Sequence, residues 1–187
     1  GKEVRMEEKK PILNEAIKFN GDYNSRQNAF EKLTKAFQEI GIELISYSKE
    51  NHITVTEGKD FYEVEVLISV PRYKDLFNSW QFDINKNIND GFYIDIDFKG
   101  NRALKSEAIA LLDKTMREEG NLGAFGNLCG GIEKIRKDYC IRIIDENDCL
   151  TIDMSPKSDF GGHDFTFTID KKTGKRSDVV VGEVLPE

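Results

Sequence analysis

Apolar and polar residues alternate over residues 61–70, FYEVEVLISV, the longest such run in the chain. Tyr62, Val64, Val66, Ile68 and Val70 fall on one side of this run, and Phe61, Glu63, Glu65, Leu67 and Ser69 fall on the other. A side-chain period of two is that of an extended strand, because successive side chains point to opposite faces. We therefore expect these residues to form a strand that anchors a sheet.

Shorter runs predict further strands on both sides of this anchor. They cover residues 42–48, 52–57, 92–98, 139–144, 149–154, 164–169 and 176–184. Residues 49–51 and 58–60 have the composition of turns, so the first three strands should follow one another without a helix and pair antiparallel. Residues 171–175, KKTGK, predict a hairpin turn in which Gly174 supplies a positive φ.

Apolar residues at helical spacing predict two long helices. The first covers residues 26–40, with a face formed by Phe30, Leu33, Phe37 and Ile40, and Gly41 follows it. The second covers residues 102–118, with a face formed by Leu104, Ala108, Leu111, Leu112, Thr115 and Met116, and Gly120 ends it. Shorter helices are expected at residues 11–19, 73–80 and 127–137.

These elements predict an α+β fold, with one or two antiparallel sheets and helices packed against one face. Residues 1–10 have the composition of a flexible N-terminal lead, and residues 11–187 are expected to form a single domain. The helices at 26–40 and 127–137 are each followed by three predicted strands. This recurring α-β-β-β order suggests a pseudo-repeat with halves 11–100 and 101–187. The expected core comprises Phe30, Leu33, Phe37, Ile53, Val55, Val64, Val66, Ile68, Leu104, Leu111, Ile143, Ile152, Phe165 and Phe167.

Composition and charge narrow the classes of function. The 187 residues carry a net charge of −7 with a pI near 5.1, which disfavours binding to nucleic acid. No apolar run approaches the ~20 residues that a transmembrane helix needs. Three cysteines and two histidines, without a CxxC pair, form no zinc motif, so we expect neither a metal nor another cofactor.

The expected compartment is open, because two features of the sequence point in different directions. An odd number of cysteines favours a reducing environment such as the cytoplasm. The chain begins with Gly1 and Lys2 instead of Met, from which we expect that a disordered tail or an export signal preceded it. An export signal would place the protein outside the cell or in the cell envelope.

One catalytic arrangement is suggested by Cys129 and His163. Cys129 lies in residues 120–131, GNLGAFGNLCGG, shortly before a predicted helix whose dipole and free N–H groups would lower the pKa of a thiol. His163 begins a predicted strand, and Asp164 or Asp170 could orient it, which is the order of parts in papain-like proteases. The local motifs of those proteases are absent, and a buried inert thiol is the alternative. The same stretch matches neither phosphate-loop motif.

A binding surface is the other candidate site. Tyr93, Asp95 and Asp97 would share one side of the strand predicted at residues 92–98. Aromatic and acidic side chains on an open sheet face favour protein recognition, unless a second layer of helices covers that face.

The closing stretch, FTFTIDKKTGKRSDVVVGEVLPE at residues 165–187, resembles the terminal hairpin of bacterial secreted and toxin-immunity domains. The acidic composition and the α-β-β-β order are similar to those of tandem inhibitor and secretion-chaperone modules. With no recognisable catalytic set, we expect a non-enzymatic bacterial protein-binding module, such as an inhibitor, an immunity-like protein or an envelope accessory protein. The alternative is a cysteine-dependent hydrolase that uses Cys129, His163 and Asp164.

Overall fold

The computed structural model describes residues 17–68, 79–88, 92–157 and 162–182. The described residues form an α+β fold with four helices and two mixed, mostly antiparallel sheets of four and five strands, so the predicted fold class is confirmed. The chain divides into two compact units, residues 1–94 and residues 95–187.

The first unit contains four strands and two helices. In chain order they are β1 (Ile17–Asn20), α1 (Arg26–Glu39), α2 (Leu44–Glu50), β2 (Asn51–Glu57), β3 (Phe61–Ile68) and β4 (Ser79–Asn85). The sheet order is β1-β2-β3-β4, and only the β1–β2 pair is parallel because both helices lie between these strands in the sequence.

The anchor strand is confirmed as β3 over residues 61–68, and its alternation sets which face is buried; Ser69 and Val70 lie outside the described residues. Tyr62, Val64 and Val66 are buried, whereas Glu63 and Glu65 are exposed. The prediction that Ile68 belongs to the core is wrong, because this residue, the last of β3, is 38% exposed.

An aromatic cluster fills the core of the first unit around Phe37 of α1. The ring of Phe37 stacks on Trp80 at 5.7 Å between centroids and meets the edge of Tyr47 at 5.5 Å. Trp80, the one tryptophan of the sequence, donates from Nε1 to the carbonyl oxygen of Ile94 at 3.2 Å. Its indole therefore has both an apolar neighbour and a hydrogen-bond partner, as partly buried tryptophans usually require.

The second unit repeats the same order and adds a strand. It consists of β5 (Ile96–Lys99), α3 (Lys105–Glu119), α4 (Ile132–Asp138), β6 (Tyr139–Asp145), β7 (Cys149–Pro156), β8 (Phe165–Asp170) and β9 (Val180–Val181). The sheet order is β5-β6-β7-β8-β9, again with only the first pair parallel. Within residues 176–182, the described part of the strand predicted at residues 176–184, only the two residues of β9 and an isolated bridge between Arg176 and Ile169 are paired in this way.

The core of the second unit lies between α3 and the sheet. Leu112 and Met116 of α3 are fully buried, as are Ile143 and Ile152 on the two central strands. Of the remaining predicted core residues, Leu104 is exposed and Leu111 is partly buried, and all others apart from Ile68 are buried. Leu104 lies in a short 3-10 turn before α3, so it does not share the buried face of the helix.

The two units correspond residue by residue at the turn that follows the first strand. Ile17, Phe19, Gly21 and Asp22 of the first unit match the pattern of residues 96–101, IDFKGN. The Asp22 carboxylate accepts the N–H of the residue two positions later at 3.0 Å, and the Asn101 amide oxygen does the same at 3.0 Å. Each acceptor fixes a 3-10 turn that leads into the long helix.

An acid–lysine pair occupies the same place in each sheet. Lys86, directly after β4, binds Glu57 at 2.5 Å, and Lys171, directly after β8, binds Asp145. The backbone repeats this match, because Lys86 N donates to Asp60 O at 2.9 Å and Lys171 N donates to Asp148 O at 3.0 Å.

A glycine packs against the acid of each pair. A Cβ on Gly21 would lie 2.5 Å from Glu57 Cβ, and one on Gly100 would lie 2.7 Å from Asp145 Cβ, so neither position has room for a side chain.

One predicted element is wrong, and two others are wrong in the residues that the structure describes. Residues 42–48 are not a strand: Leu44 and Ser48 are buried one helical turn apart in α2, because a short apolar run fits either structure. Residues 17–20 form strand β1 instead of the end of a helix, since pairing with β2 overrides local preference. Ser79 and Trp80 likewise begin β4, although Trp80 was predicted to end a helix. The other residues of the two helices predicted at 11–19 and 73–80 lie outside the described residues.

The predicted strand at residues 92–98 shortens to β5 because its first residues leave the extended conformation. Phe92 and Tyr93 have φ of 57° and 41°, in the left-handed region that bulky residues rarely occupy. Phe92 is buried in the first unit, and burial of its ring offsets the strain.

The helix predicted at residues 127–137 is present as α4, which begins later, at Ile132. Its position in the second unit is equivalent to that of α2 in the first. The long helices α1 and α3 are the other equivalent pair, so the match predicted between residues 26–40 and 127–137 is wrong.

Candidate functional site

The two units differ most in the segment that connects their two helices. In the first unit residues 40–43 join α1 to α2, whereas in the second unit residues 120–131, here called the glycine loop, join α3 to α4. Backbone hydrogen bonds close this longer connection: Leu122 N donates to Gly126 O at 2.9 Å, and Leu128 N donates to Gly120 O at 2.7 Å. The glycine loop is therefore a small ordered hairpin.

Glycines permit the reversals of this hairpin. Gly123, Gly126 and Gly131 have φ of 63°, 132° and 80°, all values that disfavour a side chain. Gly120 has an ordinary φ, but a Cβ there would lie 2.7 Å from the carbonyl oxygen of Leu128. The loop conformation thus depends on glycine for two separate reasons, backbone angle and close approach.

Helix α3 holds the end of the glycine loop. Asp113 accepts the N–H of Ile132, the first residue of α4, at 2.8 Å, and accepts Arg117 Nε at 3.0 Å. A Cβ on Gly131 would lie 2.7 Å from Arg117 Cζ, so the guanidinium group lies against the loop backbone. These contacts give the loop a defined exit into α4.

Phe125 lies in the 3-10 turn of the glycine loop, and its side chain is 50% exposed. Its ring meets the His163 ring edge-on, with centroids 5.5 Å apart and an interplanar angle of 86°. One side of the ring is thus supported and the other faces solvent. A half-exposed phenylalanine on a loop closed by its own hydrogen bonds is a preformed apolar contact point.

Cys129 lies on the same loop, but its thiol forms no hydrogen bond with His163 Nδ1, so this nitrogen does not act on it as a catalytic base. Cys129 is partly buried, and its N–H donates to Asn127 Oδ1 at 2.9 Å. His163 Nδ1 is buried and has no hydrogen-bond partner among the described residues. Neither the thiol nor a carboxylate from the described residues therefore engages this nitrogen.

The expected supporting groups have other partners. Asp170 accepts the N–H groups of Thr173 at 2.9 Å and Lys172 at 2.8 Å, which lower the pKa of its carboxyl group and stabilise the hairpin turn predicted at residues 171–175. Asp164 is exposed, and its carbonyl oxygen accepts Gly182 N. The N–H of Ile132 at the start of α4, which could have favoured a thiolate, is bound by Asp113.

The residues predicted to form a binding face do not lie on one strand. Asp95 precedes β5 and forms a two-bond ion pair with the buried guanidinium group of Arg136 in α4, Nε to Oδ2 at 3.0 Å and Nη2 to Oδ1. Asp97 lies on the solvent side of β5 and binds Arg142 Nε at 2.9 Å. Tyr93 belongs to the first unit, is partly buried and has a positive φ.

Charges on the open face of the second sheet are largely compensated. Beyond Asp97 and Arg142, the same row of the sheet continues to Asp153, which accepts Thr166 Oγ1 at 3.0 Å. Lys99 Nζ lies 3.6 Å from Asp97. This pattern is typical of a solvated sheet surface.

Within the described ranges, no group of three or more His, Cys, Asp or Glu side chains is arranged to bind a metal ion. None of the helices in these ranges combines the length and the apolar character that crossing a membrane would require. Comparisons with protein-family models, with curated proteins and with solved structures found no match.

Sequence reasoning identified the glycine loop by its composition but directed attention to Cys129 instead of Phe125. It missed the acid–lysine pairs of Glu57 with Lys86 and Asp145 with Lys171. The recurring pattern I-x-F-x-G followed by Asp or Asn, at residues 17–22 and 96–101, was a readable signal for the correct match of the two units.

Proposed function

We propose that this chain is a non-enzymatic protein-binding module of the inhibitor, immunity-like or envelope accessory kind, and that Phe125 on the glycine loop contacts its partner. The observation that carries the proposal is the half-exposed ring of Phe125 on a hydrogen-bonded loop that the first unit lacks. Exposed loops on a rigid scaffold carry binding residues more often than the elements that they connect.

The energetics of this contact favour binding. Fully burying a phenylalanine side chain contributes about 1.5–3 kcal/mol, and half of this ring is still available for burial. Two backbone hydrogen bonds already order the loop, so association costs little conformational entropy. Aromatic residues in such positions are common hot spots of interfaces.

The charge of the chain favours a basic partner. A net charge of −7 attracts a positively charged protein and increases the association rate, an effect that falls as salt screens it.

Site-specific photocrosslinking tests the proposal. A photoreactive phenylalanine analogue replaces Phe125 in one sample and Tyr23, a 75% exposed aromatic residue of the first unit, in the matched control. Cell extract of the source organism is then irradiated with each protein. We expect a discrete crosslinked species at position 125, competed by the unlabelled chain and absent at position 23. Identical species at both positions, or competition by unlabelled Phe125→Ser as strong as that by the unlabelled wild type, would contradict the proposal.

A cysteine-dependent hydrolase is the second candidate, because the contact between Phe125 and His163 brings an imidazole to the loop that carries Cys129. Labelling with iodoacetamide at pH 7 separates the two functions, with the exposed Cys140 as the internal control. A binding module predicts that Cys129 reacts no faster than Cys140. Faster labelling of Cys129 that is lost in His163→Ala would instead support the hydrolase.

A further inference from the structure

The connection between β8 and β9 lies along helix α3. Thr115 of α3, which is 1% exposed, donates from Oγ1 to the carbonyl oxygen of Gly174 at 2.8 Å. One helical turn earlier, Leu111 Cδ1 lies 3.6 Å from the position that a Cβ would take on Gly174. One turn later comes Glu119, the last residue of α3, whose carboxylate accepts the N–H of Arg176 at 2.9 Å. Three successive turns of α3 therefore meet this connection.

Strand β8 fixes the backbone around Arg176. An isolated bridge pairs Arg176 with Ile169 of β8. The next residue, Ser177, forms two hydrogen bonds with Thr168 of the same strand. Its N–H donates to Thr168 O at 2.9 Å, and its Oγ accepts Thr168 N at 2.9 Å. The sheet therefore fixes the point from which the Arg176 side chain extends.

The guanidinium group of Arg176 binds the peptide group that joins α3 to the glycine loop. Its Nε donates to the carbonyl oxygen of Glu119 at 2.8 Å, and its Nη1 donates to Ser177 O at 2.9 Å. The last carbonyl groups of a helix lack an intrahelical partner, and the helix dipole favours a cation beside them. Arg176 therefore supplies both a donor and a positive charge at the end of α3.

The first residue of the glycine loop, Gly120, is held from both sides. Its carbonyl oxygen accepts Leu128 N at 2.7 Å, which is one of the bonds that close the loop. The carbonyl group before Gly120 is the one that Arg176 binds. A Cβ on Gly120 would meet both Met116 O and Leu128 O, so α3 and the loop approach each other closely here. A shift at the end of α3 would therefore move the loop that carries Phe125.

We propose that Arg176 is a positioning residue for the contact at Phe125. By joining β8 to the end of α3, it holds the glycine loop closed and sets the position from which the ring of Phe125 meets a partner. This inference rests on the function proposed for Phe125. It deepens that function, because it assigns to the same contact a residue that lies far along the chain, after β8.

Hydrogen exchange in the full-length chain tests the positioning. The amide of Leu128 reports on the closing bond of the loop, and the amides of the central strand β7 report on opening of the whole unit. In Arg176→Ala we expect Leu128 to exchange about tenfold faster relative to β7, the effect of losing a hydrogen bond to a charged group. Arg176→Lys keeps a cationic donor and should restore most of the protection.

Ser177→Ala is the matched control. It removes the side-chain acceptor of Thr168 N from the same segment, but the bonds of Arg176 to Glu119 stay intact. The exchange of Leu128 relative to β7 should therefore equal that of the wild type.

Competition for the species crosslinked at position 125 tests the role of Arg176 in recognition. About tenfold more unlabelled Arg176→Ala than unlabelled wild type should be needed for the same competition, because the variant must order the loop when it binds. Arg176→Lys and Ser177→Ala should compete nearly as well as the wild type.

Two results would overturn the proposal. Exchange of Leu128 that stays in proportion to that of β7 in Arg176→Ala would mean that this arginine only stabilises the unit. Faster exchange of Leu128 with undiminished competition would mean that closure of the loop does not position Phe125. The absence of any crosslinked species at position 125 of the wild type is a different failure: it would refute the function proposed for Phe125, and with it the role of Arg176 in recognition.

Discussion

Asp95 and Asp97 lie two residues apart, and neutralising each one should have very different effects on stability. Asp95 binds the Arg136 guanidinium group, whose side chain is 9% exposed, whereas Asp97 and Arg142 are 43% and 55% exposed. Asp95→Asn keeps the shape of the side chain and removes its charge. Asp97→Asn makes the same chemical change on the open face and is the matched control.

The expected magnitude follows from burial. Two unit charges about 4 Å apart attract by about 4 kcal/mol at an effective dielectric constant near 20. Removing one partner of a fully buried pair costs about 3–5 kcal/mol, because the other charge stays buried without compensation. The Asp95 side chain is 24% exposed, Glu133 stays 3.4 Å from Arg136, and asparagine can accept one hydrogen bond. We therefore expect Asp95→Asn to lower the free energy of unfolding by about 2–3 kcal/mol, and Asp97→Asn by about 0–1 kcal/mol.

Urea unfolding followed by far-UV circular dichroism measures both values under the same conditions. The reasoning is refuted if Asp95→Asn costs less than about 1 kcal/mol or no more than Asp97→Asn. In that case Arg136 does not depend on Asp95, and the carboxylate is available to a partner, as the sequence had suggested.

Two further predictions concern the matched turns of the units. Lys86, followed by the N–H of Asp22, lowers the pKa of Glu57 from its ordinary 4.5 to about 2. The folded-state pKa is below the unfolded value, so this stabilisation is present above pH 4.5 and is lost as the pH falls towards 2. Glu57→Gln should therefore lower Tm at pH 7, with the difference from wild type vanishing near pH 2; a constant difference would contradict the assignment. Gly100→Ala should cost about 2 kcal/mol or more, because φ is 154° and the new Cβ would meet Asp145. Gly41→Ala, with φ of 76° and open space, should cost only about 1 kcal/mol in urea unfolding; equal costs would show that the close contact is unimportant.

Hydrophobic periodicity correctly predicted those elements in which the apolar face of the local pattern is also the face that the fold buries. The face of α1 formed by Phe30, Leu33 and Phe37 and the alternation of β3 both correspond to buried surfaces. Residues 17–20 were misassigned because a parallel partner distant in sequence, β2, determines their conformation. No local pattern encodes such a pairing.

The candidate site was less predictable for a related reason. The sequence shows that residues 120–131 are rich in glycine, but not that Leu122 and Gly126 close a hairpin that presents Phe125. The proximity of His163 to that ring depends on a segment far along the chain. Likewise, the sequence indicated that Asp95 was an exposed acid, because it does not show that α4 places Arg136 next to this residue.

The shared strand order and the matching turns lead us to propose that the two units arose by duplication, and that their differences carry the function. Replacing residues 120–131 by residues 40–43 tests both statements. These segments join equivalent helices, so the variant should fold, with a loss of roughly 2 kcal/mol from the missing burial of Leu128. It should keep the far-UV spectrum of the wild type and no longer compete for the species crosslinked at position 125. A variant that does not fold would contradict the match between the units, whereas a folded variant that still competes would show that the glycine loop is not the recognition element.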